Sequence, residues 1–152
     1  GQWVKMGEKE VLKCVYEELT ALGINYYYMI NDSENVVYPY VTGEYYEYEY
    51  KYEDNSSSGE ILLEAWTRGT EEELIEIKDK IKEKFKNYQK TISEKDKSMG
   101  LSINYLNKTP RRTETLGLKK LEIRLQTNYW ESEWNGFKIT WNNRKDTRKF
   151  II

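Results

Sequence analysis

The chain has 152 residues, of which 38% are apolar and 33% charged, and its mean hydropathy is −0.89. No apolar run is long enough for a membrane span, and Gly1–Lys5 lack the apolar stretch of a signal peptide. A single cysteine excludes internal disulfides. The absence of histidine removes the usual general base and the commonest transition-metal ligand, so we expect no enzyme, metal or cofactor. A net charge of −2 gives no bulk attraction to nucleic acid.

The first element is predicted to be an amphipathic helix over residues 8–22. Val11, Val15 and Leu19 recur at helical spacing, and Gly23 supplies a left-handed stop. From Ile24 to Ile30 the apolar period becomes two, which indicates a short strand followed by the polar turn 31–35.

Residues 38–67 predict a long β-hairpin. In the run 44–53 the tyrosines at even positions face one way and the charged residues at odd positions face the other. Residues 54–59 form the tip, and the return strand is 60–67. The segment 36–41 has the residues of a strand, in which Pro39 belongs at the start or on an edge, and Gly43 indicates a bulge or a close approach of backbone.

A second helix is predicted over 70–88. Thr70 and Glu73 fit a capping box, and acidic residues fill the first turn. The helix presents one apolar stripe, composed of Leu74, Ile77, Ile81, Phe85 and Tyr88.

The second half predicts more strands. We expect a polar loop over 90–100, a strand over 101–105, a mobile basic loop over 107–114 and a strand over 118–130. A turn over 131–136, a last strand over 137–141 and a basic tail over 142–152 follow. The predicted fold is one α+β domain over 1–152 with its core at about 8–141. It has two layers, a mostly antiparallel sheet with both main helices on one face, and a long projecting hairpin.

Aromatic residues and charges are unevenly distributed. Ten of the fourteen tyrosines lie between Tyr26 and Tyr52, which fits either a half-buried pleated surface or a protein interface. Residues 44–54 carry a net charge of −4, residues 108–120 carry +4, and the tail carries +3. Separated blocks of opposite charge favour a head-to-tail contact between copies, although charge runs are often only solvated surface.

The order of segments resembles a known family. The strand 38–44 reads YPYVTGE, and the strand 59–69 reads GEILLEAWTRG and precedes the second helix. This arrangement is similar to that of the tail terminator, or tail completion, proteins of tailed bacteriophages, prophages and phage-tail-like particles. The resemblance covers about residues 8–88, with a weaker match to the strands near 118–141.

The resemblance implies a structural virion protein, made in the bacterial cytoplasm and located at the head-proximal end of the tail. Such proteins form a ring, usually a hexamer, that caps the tail tube, stops polymerisation and receives the head. The implied partners are other copies, the tube protein with or without a sheath, and a head-completion protein, with no specific nucleic-acid sequence and no membrane. No catalytic residue is implied. For the contact between subunits or with the tube, the candidates are Tyr46, Glu47, Tyr48, Glu49, Tyr50, Tyr52, Glu53, Trp66, Arg111, Arg112, Arg144 and Arg148.

Three other functions remain open. A neighbouring stopper-type connector shares the size and the aromatic strands. A small monomeric binding module explains the tyrosines but not the separated charge blocks. A carboxylate-dependent enzyme needs two facing acids in a pocket; Glu47 and Glu49 share a strand face, where alternation is expected to expose them.

Overall fold

The computed structural model describes residues 6–48 and 56–133, and these form a mixed α/β protein with a curled six-stranded sheet and two helices. The order along the chain is α1 (Met6–Ala21), β1 (Tyr26–Tyr28), β2 (Tyr40–Glu47), β3 (Ser57–Thr67), α2 (Glu71–Lys84), β4 (Tyr88–Glu94), β5 (Lys97–Arg111) and β6 (Lys119–Glu133). In the sheet the strands lie in the order β1-β2-β3-β6-β5-β4. β1 runs parallel to β2, and every other pair is antiparallel.

One continuous core holds the helices and the strands together. Alternate residues of the central strands are buried, as the period-two pattern requires. They join the buried stripes of both helices in a single cluster, which includes Val11, Val15, Leu19, Leu63, Leu74, Ile77, Ile81, Leu101, Ile123 and Leu125. The packed core is therefore built across both halves of the chain.

The first helix agrees closely with its prediction from the sequence. Val11, Val15 and Leu19 are buried, and the predicted boundaries 8–22 differ by one or two residues from those observed. Gly23 has a φ of +81° and follows the last turn, which confirms the predicted left-handed stop. Its amide donates to the Thr20 carbonyl at 2.9 Å, so the end of the helix is satisfied locally.

The second helix differs from its prediction at both ends. Thr70 is the N-cap residue but makes no side-chain capping bond, so the predicted capping box is wrong. Instead the Thr67 hydroxyl donates to the Glu73 carboxylate at 2.5 Å and accepts the Gly69 amide at 3.0 Å. The helix ends at Lys84, and Tyr88 begins a strand instead of ending the apolar stripe.

The region after α2 contains more strand than the sequence predicts. The predicted loop 90–100 is wrong, because β4 and the start of β5 form an antiparallel hairpin there. The predicted loop 107–114 is wrong over its first part, because β5 continues to Arg111 against β6. β6 also extends to Glu133, into the predicted turn. Polar, weakly alternating sequence hid these strands, since their stability comes from pairing and not from a local apolar pattern.

Strand β5 changes faces at a β-bulge between Tyr105 and Asn107. Before the bulge Ile103 is buried with the core, and after it Thr109 and Arg111 pair with Glu122 and Lys120 of β6. The extra residue therefore shifts the alternation by one position.

Strands β2 and β3 pair antiparallel from Tyr40 opposite Trp66 to Glu47 opposite Gly59. Gly43 confirms the predicted close approach, because a β-carbon there would lie 2.4 Å from the Tyr26 hydroxyl oxygen. The predicted tip 54–59 is wrong from residue 57 onward, because β3 already begins at Ser57. Residues 49–55, the strand 137–141 and the tail 142–152 lie outside the described residues. Neither described helix is long and apolar enough to cross a membrane.

Candidate interaction surface

The sheet has a second face, opposite the core cluster, that we call the outer face. Pleating places the even-numbered residues of β2, β3 and β6 there. Most of them are half-buried, and they alternate acidic, basic and aromatic side chains. The outer face is formed by Tyr40, Thr42, Glu44, Tyr46, Glu60, Leu62, Glu64, Trp66, Lys120, Glu122, Arg124 and, beyond the bulge, Arg111.

Except for Glu44, which accepts a hydrogen bond from Tyr46, the charges of the outer face form ion pairs within the chain. Arg124 contacts Glu60 at 2.8 Å and Glu122 at 3.2 Å, and Arg111 contacts Glu122 at 3.0 Å. Lys120 lies 3.3 Å from Glu64. Burial alone raises the pKa of Glu122, but the two arginines outweigh burial and lower it. The outer face therefore presents a nearly neutral, ordered lattice of ion pairs.

An aromatic cluster occupies one end of the outer face. The rings of Tyr40 and Trp66 stack with centroids 6.2 Å apart, and Tyr38 lies 5.5 Å from Tyr40. Arg68 is 5.7 Å from the Tyr38 ring centroid, and Lys120 is 4.8 Å from that of Trp66. The Trp66 indole also donates to Thr42 at 3.3 Å. The two segments that carry the family resemblance, 38–44 and 59–69, therefore meet in one structural unit.

The predicted hairpin candidates divide between the two faces. Tyr46 is 50% exposed on the outer face, and the Tyr48 hydroxyl donates to Glu60 at 3.1 Å. Glu47 points to the core side, where it accepts hydrogen bonds from Tyr129 and Tyr45, so its expected exposure is wrong. The cause is pleating, because Glu47 shares a face with the buried Val41. The candidates Glu49, Tyr50, Tyr52 and Glu53 lie outside the described residues.

The predicted basic candidates also differ from one another. Arg111 is exposed but already paired with Glu122. Arg112, one residue beyond the end of β5, is exposed and makes no ion pair within the described part of the chain. Trp66 lies in the aromatic cluster, and the tail candidates Arg144 and Arg148 lie outside the described residues.

Next to Arg112 is a cleft of about 550 Å³ between α2 and the loop that joins β5 to β6. Leu116, at the tip of this loop, is 96% exposed, and Ile75 on α2 is 41% exposed. The Thr113 hydroxyl holds the loop by donating to the Leu118 carbonyl at 2.6 Å. The cleft combines apolar walls with a rim that is basic on the side of the loop, with Lys108, Arg112 and Lys119, and carries one acid, Glu71, on the side of α2.

A second exposed apolar region, the loop 28–37, has no counterpart in the sequence-based candidates. It exposes Tyr28, Met29, Ile30, Val36 and Val37 by 41–68%. The signal was present in the sequence, since Ile30, Val36 and Val37 flank a polar turn, but alternation alone assigned them to strands.

The buried polar groups indicate structural roles. Tyr88 donates to Glu18 at 2.6 Å, and the Cys14 thiol lies 3.3 Å from the Tyr88 hydroxyl. Burial raises the pKa of Cys14, which leaves the thiol protonated and poorly nucleophilic. Within residues 6–48 and 56–133, no group of three cysteine or acidic side chains could hold a metal ion.

No protein-family model matches this sequence, and no curated protein matches it either.

Proposed function

We propose that this chain is a non-enzymatic structural protein of a phage-type tail, a tail terminator that works as a ring. The ring, usually of six copies, would cap the tail tube, stop its polymerisation and offer the surface on which the head docks. The proposal places the protein in the virion at the head-proximal end of the tail, after synthesis in the bacterial cytoplasm. It requires no cofactor, no specific nucleic-acid sequence and no membrane.

The observation that carries this proposal is the contact between Tyr40 and Trp66, at 6.2 Å between ring centroids. These residues belong to the two segments on which the family resemblance depends. Arg68, in the second segment, also lies over Tyr38 in the first. The two segments are adjacent antiparallel strands whose aromatic side chains form one cluster, so the residues that carry the resemblance belong to one structural unit.

The outer face is suited to contact the tube through its aromatic side chains, and not through free charges. Its lysine and arginines are ion-paired internally, and the remaining carboxylate, Glu44, accepts a hydrogen bond from Tyr46, so docking would bury no charge that lacks a partner. Tyrosine and tryptophan supply the buried area that interfaces favour, and Tyr46 is exposed there. We propose that the predicted hairpin projects from the sheet on this side, that both helices cover the other face, and that Tyr46, Tyr48 and Trp66 contact the tube.

The decisive experiment adds the purified chain to growing tail tubes and measures tube length by electron microscopy. The proposal expects tubes of uniform length that carry a ring of about six copies at one end. A stopper-type connector would leave the length distribution unchanged and bind only to tubes that are already capped. A monomeric binding module would form no ring, as measured by native mass spectrometry of the chain with and without tubes. Either result would overturn the proposal.

A further inference from the structure

We infer that the loop 28–37 of one copy docks into the cleft beside Arg112 of the next copy, which makes a head-to-tail contact. This inference rests on the proposed ring and names the surfaces that build it. One chain carries two exposed apolar regions of opposite charge, the loop and the cleft.

The loop 28–37 is held in shape while its apolar side chains point outward. Met29 has a φ of +73°, a strained conformation for a residue with a side chain, and its amide donates to the Gly43 carbonyl at 2.8 Å. Asn31 accepts the Ser33 amide at 3.0 Å, which closes the turn. Ile30 is 68% exposed and Val37 is 63% exposed. An ordered loop that holds a strained backbone conformation while it exposes apolar side chains is typical of a contact surface.

The charges of the loop are unpaired. Asp32 and Glu34 are exposed, and neither forms an ion pair within residues 6–48 and 56–133. The loop therefore offers apolar side chains flanked by two free carboxylates.

The cleft offers the complementary surface. Leu116 and Ile75 are exposed apolar groups at its edge, and Lys108 and Arg112 are exposed cations without an ion pair among the described residues. A volume of about 550 Å³ admits several large side chains such as Ile30 and Val37. The other cations of the rim are engaged, because Lys119 donates to the Gly69 carbonyl and Lys120 pairs with Glu64.

The order of strands in the sheet separates the loop from the cleft of the same copy. The partner that fits the cleft is therefore the loop of a second copy. The loop follows β1, at one edge, while the cleft lies at the junction of β5 and β6, with β2 and β3 between them. Strands are spaced by about 4.8 Å, so roughly 14 Å of sheet separates β1 from β6. Because each copy carries one loop and one cleft, the contact is heterologous, and repeating it closes a ring when the rotation allows.

Disulfide trapping tests the contact. Ile30→Cys and Leu116→Cys place thiols on the two surfaces, and the native Cys14 is only 2% exposed, so it does not compete. Mixing the two variants under mild oxidation should give a covalent dimer in roughly tenfold or greater excess over a control mixture of Ser93→Cys and Leu116→Cys. Ser93 is a suitable control because it is exposed on β4, at the sheet edge opposite β1 and beside the end of β5 that is far from Arg112. Equal yields in the two mixtures would overturn the inference.

A charge exchange gives a second, independent test. Glu34→Lys and Arg112→Glu should each weaken association in analytical ultracentrifugation by about two- to fivefold, as expected for one exposed ion pair. Combining both substitutions should restore it. Lys95→Glu, at the exposed turn between β4 and β5 on the opposite edge of the sheet, is the control and should change nothing. Absence of rescue, together with absence of trapping, would reject the contact while uniform tube lengths still supported the terminator function. If the disulfide forms but the protein does not make tube lengths uniform, the contact is supported and the terminator function is rejected.

Discussion

The hydroxyl of Tyr129 donates a hydrogen bond to the carboxylate of Glu47 and so joins β6 to β2 across β3. Tyr129 is 2% exposed and packs beneath α1. Burial, reinforced by the bond to Glu47, raises the pKa of Tyr129, so the phenol remains a neutral donor. A carboxylate that the sequence assigns to a contact surface is therefore a structural tie inside the domain.

Glu47→Lys should destabilise the monomer by about 2–3 kcal/mol. Tyr129 would lose its charged acceptor, and the longer, cationic lysine side chain would enter the same space. Glu34→Lys makes the same charge change at an exposed position and should alter the free energy of unfolding by less than about 0.5 kcal/mol. Urea denaturation of both variants measures the difference. Equal stabilities would show that the Tyr129–Glu47 bond contributes nothing.

Gly7→Ala should lower stability, although alanine normally stabilises a helix by about 0.5–1 kcal/mol relative to glycine. The reason is steric, since a β-carbon at Gly7 would lie 1.9 Å from the Tyr129 ring. Thr20→Ala, at an exposed position of the same helix, should instead raise the melting temperature slightly. If thermal unfolding shows a stabilised Gly7→Ala variant, the close packing of α1 on Tyr129 is wrong.

The decrease in the free energy of unfolding at acid pH should depend on Glu122. Arg111 and Arg124 hold the pKa of this carboxyl below its usual value of 4.5, despite the opposing effect of burial. A carboxyl whose pKa is lower in the folded state stabilises the fold above its unfolded pKa and loses that contribution as the pH falls through the folded pKa. The stability difference between the wild type and Glu122→Gln should therefore be largest near pH 7 and shrink below about pH 4.5.

Chemical denaturation at a series of pH values measures this difference. Glu72→Gln, at an exposed position of α2, is the control and should follow the wild type throughout. A difference that stays constant from neutral to acid pH would contradict the role of the two arginines.

Cys14 should react with thiol reagents only when the protein opens. Its side chain is 2% exposed, and burial raises its pKa above the usual value of 9.0. Labelling in native buffer should be slower than in urea by a factor on the order of 10³ or more, set by the population of open molecules. Tyr88→Phe, which removes the hydroxyl shared by Cys14 and Glu18, should accelerate native labelling. Fast labelling of the native wild type would contradict the packing of α1 against β4.

The elements that the sequence predicted well are those with a strong local pattern. The stripe of Val11, Val15 and Leu19 and the stop at Gly23 require only neighbouring residues to be recognised. The strand β4 could not be found in this way, because its exposed positions are polar and its stability comes from pairing with β5.

The same limit applies to the candidate surface. The sequence identified Trp66 and Arg112 by residue type; Trp66 lies in the aromatic cluster of the outer face, and Arg112 lies at the rim of the cleft. It could not reveal that Glu47 and Arg111 already have partners, since those partners, Tyr129 and Glu122, lie on β6. It also treated the apolar residues of the loop 28–37 as strand, because only the fold shows which apolar side chains remain uncovered.

The bulge at Leu106 lets one strand serve two surfaces. Residues before it contribute to the core, and residues after it reach the ion-pair lattice of the outer face. If Leu106 instead took the regular place opposite Arg124, the following stretch would turn over. Lys108 and Pro110 would then face outward, and Asn107 and Thr109 would lie opposite Ile123 and Leu121. A relative that lacks residue 106 should therefore keep the present faces by pairing straight through, whereas a relative that keeps it must keep the bulge as well.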